Sequence, residues 1–249
     1  QLKRNLFVIT GDISAKNYVA SQDAWTIQAN SIYPGFDTKR SFQQNLAMLY
    51  LEPTVEFSQY FDFIPLPADI QFTDASYSKE NIVGFGFGSI TSTSTEVETK
   101  NPFKIYADQV NVMLRQLTMP VVDISVCQKI YNYTATDVEL SSQLCYGGEP
   151  NKGVCLRDEG GPVTWIRPSD GTRIIIAVNT NKYGCSKGLA NIGTKIAGNH
   201  LRWIQAIINT TVTIPKRNNH RGFFEWLPEF IGSPIRNNPS ENQQTTNGT

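Results

Sequence analysis

The sequence predicts an all-β protein of the barrel or sandwich type, on three observations. Its apolar, β-branched runs are short and are separated by Gly, Pro, Asn and Asp. One stretch alone, Asn199–Ile208, carries apolar residues at clear helical spacing. The 249 residues are enough to bury a substantial core, in one domain or two.

The expected strands, in chain order, are Asn5–Thr10, Leu46–Leu51, Ile82–Phe87, Pro162–Ile166 and Arg173–Val178. A short helix is expected near Asp123–Tyr131. The closing helix, Asn199–Ile208, places Leu201, Ile204, Ile207 and Ile208 on one face, with Asn199 as its N-cap. No internal repeat stands out. After Thr211 the character changes, so residues 1–212 are read as one body and 213–249 as a C-terminal extension. The extension opens with a small basic cluster, Lys216-Arg-Asn-Asn-His-Arg221, read as a solvated face or a heparin-like site through Lys216, Arg217, His220 and Arg221. Gly222–Gly232 then packs Phe223, Phe224, Trp226, Leu227, Phe230 and Ile231 into one short stretch. It is read as packing back onto the body or as docking a partner. Residues 233–249 carry few apolar groups and are expected to be disordered.

The charges balance, 22 basic against 22 acidic, so nothing argues for a nucleic-acid or anionic-membrane surface, and neither partner is expected. No apolar run reaches the length of a membrane span. The chain opens on Gln1 and shows no signal peptide, so it is read as a processed or truncated product. No His/Cys cluster has ligand spacing, and Gly84-Phe-Gly-Phe-Gly88 lacks the Lys-Ser/Thr or βαβ context of a phosphate loop. No metal and no cofactor are expected. The four cysteines allow three pairings, and spacing does not choose among them. Three sequons, at Asn132, Asn209 and Asn247, join the cysteines in favouring a secreted, extracellular glycoprotein.

The most informative fragment is Cys155-Leu-Arg-Asp-Glu-Gly-Gly-Pro-Val163. It resembles the nucleophile loop of the trypsin-like serine proteases, Cys-x-Gly-Asp-Ser-Gly-Gly-Pro. Further blocks follow in family order. Asn45-Leu-Ala-Met-Leu-Tyr-Leu-Glu-Pro53 resembles Asp-Ile-Ala-Leu-Leu-x-Leu-x-x-Pro, and Gly84-Phe-Gly86 resembles Gly-Trp-Gly. Met119–Cys127 resembles the lead into the intermediate helix. Gln143-Leu-Cys145-Tyr-Gly-Gly is similar to the strand before the specificity pocket, and Ile176–Cys185 to Gly-Ile-Val-Ser-Trp-Gly-x-Gly-Cys. Ile192-Gly-Thr-Lys-Ile196 is similar to Val-Tyr-Thr-Lys-Val, and His200–Ile208 to the closing helix. The resemblance covers roughly residues 5–210. It implies a double six-stranded β-barrel with a C-terminal helix, and disulfides Cys127–Cys145 and Cys155–Cys185.

The family's opening Ile-Val-Gly-Gly segment and its histidine block, Ala-Ala-His-Cys, have no counterpart here. Leu6–Asp12 resembles the strand that follows that histidine, so the first barrel is expected to lack its N-terminal strands. A partial sequence, a cleavage that leaves two pieces together, and completion by another chain are the competing explanations.

By the same resemblance the catalytic positions are degenerate. Glu159 stands at the serine, and a carboxylate cannot be activated by giving its proton to a base. Asn45 stands at the orienting aspartate, where an amide can donate as well as accept. Arg157 stands at the oxyanion glycine, where a side chain can shift the loop. The chain's two histidines, His200 and His220, are not placed to act as the base. Asp158 is retained; the family pairs it with a new N-terminus, and here another donor is expected. An ion pair between Arg157 and Glu159 is expected to fill the former site. Gly153 takes the place of the trypsin pocket aspartate, and Asn179, Thr180 and Asn181 replace the substrate-pairing Ser-Trp-Gly. That strand either accepts an extended peptide without cutting it or closes on itself. The resulting expectation is a non-enzymatic, secreted serine protease homologue. Its partner would be an extracellular protein in a proteolytic, immune or reproductive pathway, or the missing piece of its own precursor. The rivals are a glycan- or heparin-binding module and an active serine endopeptidase.

Overall fold

The computed structural model describes residues 7–11, 13–14, 24–36, 44–52, 57, 62–68, 80–88, 113–131, 141–155, 157–180 and 188–211. Three antiparallel strands, β1 (Phe7–Ile9), β2 (Ala24–Ile32) and β3 (Ala47–Glu52), form a sheet in the order β1-β2-β3. Six more close into a barrel in the order β4-β5-β6-β9-β8-β7. They are β4 (Asn81–Gly86), β5 (Arg115–Val122), β6 (Gln143–Gly147), β7 (Pro162–Ile166), β8 (Arg173–Asn179) and β9 (Ala190–Lys195). Helices α1 (Ile124–Tyr131) and α2 (Gly198–Thr211) complete the described elements. The all-β expectation holds, and the closed barrel is that of the trypsin-like fold. The sheet β1-β2-β3 stands, among the described residues, where the first barrel is expected.

Local irregularities shape the barrel. The β7–β8 register passes from Val163↔Ala177 to Thr164↔Ile175, leaving Ile176 as an extra residue in β8. This bulge breaks the two-residue alternation. Ile174, Ile176 and Ala177 therefore enter the barrel core, while Ile175 and Val178 pack outward under α2. Each isoleucine fully buried in this way contributes roughly 1.5–3 kcal/mol. Pro120 lies inside β5, but at the point where the strand changes partner: the β4 ladder ends at Asn81↔Pro120, and β6 pairs from Val121. A missing N–H is tolerated at such a boundary.

Helix α1 begins at Asp123, whose Oδ1 accepts the Ser125 N–H at 2.8 Å and whose carbonyl accepts that of Val126 at 3.0 Å. Those Ser125 contacts hold the Asp123 carboxyl below its usual range. Helix α2 differs from expectation at its start. Gly198 turns at φ 51°, and the Ala197 carbonyl accepts the N–H groups of His200 and Leu201. The first turn thus closes ahead of Asn199, whose Oδ1 holds Arg202 at 2.9 Å instead of capping. The helix seats Leu201 and Ile204 against Ile196, with Met48 of β3 and Leu66 at the margin. Tyr33, just after β2, meets His200 and Trp203 edge-on at 4.5 and 5.3 Å.

Candidate functional site

The loop between β6 and β7 is organised around Asp158, which is 2 % exposed. Its Oδ1 accepts the Gly88 N–H at 2.7 Å and its Oδ2 accepts the Cys155 N–H at 2.8 Å. These are the donors that the carboxylate finds here. Gly86 and Gly88 make the contact possible, because a Cβ on either would fall on the Asp158 carboxylate. Burial pushes the Asp158 carboxyl up to about 6, against the two N–H bonds, with a further push from neighbouring Glu159.

Asn179, at the end of β8, ties the loop to the barrel. Its carbonyl accepts the Gly160 N–H at 2.8 Å, and its own N–H donates to the Gly161 carbonyl at 2.9 Å. Its side-chain Nδ2 donates to the Asp158 carbonyl at 2.9 Å, while Oδ1 accepts the Tyr146 hydroxyl at 2.9 Å. The Tyr146 ring lies over Gly193, where a Cβ would come within 3.3 Å of it. Complete burial raises the Tyr146 phenol well above its ordinary value. Thr180 gives both its N–H and its hydroxyl to the Ile192 carbonyl, each at 3.2 Å. Main-chain donors at 179 and 180 therefore bond within the molecule; Asn181, the third residue of this stretch, lies outside the described residues.

Arg157 and Glu159 stand at the mouth of the loop. The contact between them is a main-chain one: the Arg157 N–H donates to Glu159 Oε2 at 2.7 Å, in place of the expected ion pair. Arg157 sits at φ 77°, a left-handed conformation that favours glycine, the residue of the family pattern. Glu159 is exposed. An ionised carboxylate there accepts hydrogen bonds and donates none.

The remaining expected residues are spread more widely. Gly153 is half-buried at the base of the same loop. Asn45 is half-buried ahead of β3 and gives its main-chain N–H to Thr194 Oγ1 of β9 at 3.1 Å, linking sheet to barrel. His200 is buried under Tyr33, with Nδ1 2.8 Å from the Lys195 carbonyl. Burial lowers its pKa. Cys127 and Cys145 are joined, with Cα atoms 6.0 Å apart, pinning α1 to β6. Cys155 is also disulfide-bonded; its expected partner, Cys185, lies outside the described residues, as do Asn132, Asn181, His220, Asn247 and the whole extension from 213. Asn209 lies exposed on the last turns of α2.

The sequence reading missed Tyr146 and the space-making role of Gly86 and Gly88. The spaced glycines of Gly84-Phe-Gly-Phe-Gly88 were the available signal. Nothing local marks Tyr146, since its partner Asn179 lies 33 residues away. Among the described residues, no three of His, Cys, Asp and Glu are grouped to hold a metal ion.

Known proteins carry related chains. Phenoloxidase-activating factor 1 of Holotrichia diomphalia is 27% identical over 172 residues, 69% of this chain and 42% of that protein. CLIP domain-containing serine protease B8 of Anopheles gambiae is 25% identical over 182 residues, 72% of this chain and 42% of its own length. Serine protease filzig of Drosophila melanogaster is 26% identical over 164 residues, 65% of this chain and 8% of that protein. The chain thus spans less than half the length of these relatives. The family model described as Trypsin matches residues 2–204, so that the barrel, the first turns of α2 and the loop around Asp158 all fall within it, and the chain belongs to the trypsin family.

Proposed function

We propose that this chain is a secreted serine protease homologue that works by binding a protein and not by cutting one. The observation that carries the reading is Glu159: at the family's serine position it presents an exposed carboxylate, and that carboxylate takes up the Arg157 N–H. A carboxylate offers no hydroxyl for a base to activate, and the N–H it accepts is withdrawn from any developing oxyanion. Asn45 supports the same reading, because an amide does not enforce one tautomer on a base as a carboxylate does. His200 supports it too, being buried with a ring nitrogen on a carbonyl. Loss of one such part costs on the order of 10⁴–10⁶ in rate, and the losses do not add.

Without turnover, what the fold offers is its surface, as a cofactor, decoy or regulator for an extracellular protein. Disulfide bonds at Cys127, Cys145 and Cys155 support an oxidising, extracellular setting. The sequons at Asn132, Asn209 and Asn247 support glycosylation on the same route. Two of the three relatives above carry protease names, so the distinction rests on this chain's own residues. It is tested with a fluorophosphonate probe on the protein purified from its natural source, and on Glu159→Ser. Neither is expected to label. Stable labelling of a residue of the 153–161 loop in the natural protein would overturn the reading.

A further inference from the structure

His200 is 3% exposed and sits where the first sheet meets the barrel and α2. Its Nδ1 lies 2.8 Å from the carbonyl of Lys195, the last residue of β9. A carbonyl only accepts, so Nδ1 carries the proton of the neutral ring, and Nε2 is the nitrogen that gains one in acid. Tyr33 covers the ring edge-on at 4.5 Å and meets Trp203, one turn further along α2, at 5.3 Å. The Tyr33 N–H donates to the Leu46 carbonyl at 2.9 Å, and the Tyr33 carbonyl accepts the Phe36 N–H at 3.0 Å. Beside Leu46, the Asn45 N–H reaches Thr194 Oγ1, next to Lys195, at 3.1 Å. Tyr33 and Asn45 thus fasten the two ends of the β2–β3 connection to the barrel and its closing helix.

The surroundings of this ring suit its neutral form. Lys195, itself 4% exposed, faces it from β9 and repels a second positive charge. Tyr33 faces it from the end of β2 and brings no carboxylate. On α2, His200 is the third residue, at the positive end of the helix, and the first turn holds no acidic residue. Arg202 of the same helix is turned to Asn199. Burial, then Lys195, hold the His200 pKa below 6.5, against the pull of the Lys195 carbonyl.

We propose that His200 is an acid-released latch: neutral, it holds Tyr33 and the turn that follows against α2, and on protonation it leaves its place and lets them go. A buried imidazolium without an anionic partner must move to water or give back its proton. Moving it undoes the contact with Tyr33. Because the folded pKa lies below the unfolded 6.5, the latch is complete above pH 6.5 and is lost as pH falls below it. The first sheet is thereby held to α2 at neutral pH and released there in acid, whether or not the loop around Glu159 catalyses.

Hydrogen–deuterium exchange on the full chain at about pH 7.5 and about pH 5 tests this, with each amide compared with an unstructured peptide at the same pH. Protection at Tyr33, Phe36, Asn45 and Leu46 should fall roughly threefold or more between the two, while residues 143–147 of β6 keep theirs. His200→Asn retains a donor near the place of Nδ1 and does not titrate, so protection at those four amides should then be equal at both pH values. Where that variant folds too weakly to read, NMR titration of the two histidines in the natural protein decides, assigned with His220→Gln. His200 should titrate below 6.5, and the Tyr33 ring signals should move with the same midpoint. Flat protection in the natural chain, a pH response that persists in His200→Asn, or a His200 midpoint at or above 6.5 would each overturn the latch.

Discussion

At Asp158 a carboxylate is buried between two main-chain donors, and burial outweighs them, leaving its pKa near 6. Its folded value lies above the unfolded one of 3.8, so the stability it contributes is complete below about pH 4 and is lost as pH rises through 6. A rise from 3.8 to about 6 corresponds to about 3 kcal/mol. Buried His200 acts in the opposite sense: its folded pKa is depressed, and its contribution is lost as pH falls below 6.5. Asp123 and Asp170 are depressed as well, and theirs is lost only below 3.8. Denaturant unfolding from pH 4 to pH 7 isolates Asp158 by difference. Relative to Asp158→Asn, the natural chain should lose roughly 2–2.5 kcal/mol across that range. A difference that stays flat would show that the carboxylate is not held as described. Of this, the sequence makes the Asp158-Glu159 pair legible through its flanking Gly-Gly-Pro. Gly88, its donor, lies 70 residues away; the spaced glycines around it are a local signal, but nothing in the sequence ties them to Asp158.

Among the elements, those with unbroken runs were readable. Pro162–Ile166 coincides with β7, and the Arg173–Val178 run with β8 to within one residue. β2 was not expected, because the register shift between Ile27 and Ala29 breaks its alternation. β5 was obscured by Pro120, and β9 by having all six residues buried, Asn191, Thr194 and Lys195 among them, which leaves no apolar–polar period to find. Only the family resemblance pointed to β9. The Cys127–Cys145 bond acts at this scale too, since it closes a separation of 18 residues and fixes α1 against β6 and β9. Replacing both cysteines with serine should lower stability by roughly 2–4 kcal/mol in urea titration, with the denaturant midpoint falling accordingly. An unchanged midpoint would mean that packing of Ile124, Ile130 and Tyr131 holds α1 unaided.

For the whole molecule, the closed barrel and α2 carry the trypsin-like architecture, and Asn179, Thr180 and Glu159 hydrogen-bond to main-chain groups at and beside the loop. A scaffold can keep its packing when its chemistry changes, because the barrel core and the loop residues answer to different constraints. The decisive measurement is peptide-bond turnover by the natural, full-length protein on a broad mixture of peptides, read by mass spectrometry beside its Glu159→Ala variant. No cleavage above the buffer blank is expected from either. Cleavage by the natural protein that disappears in Glu159→Ala would make residue 159 a working catalytic group and contradict the binding role.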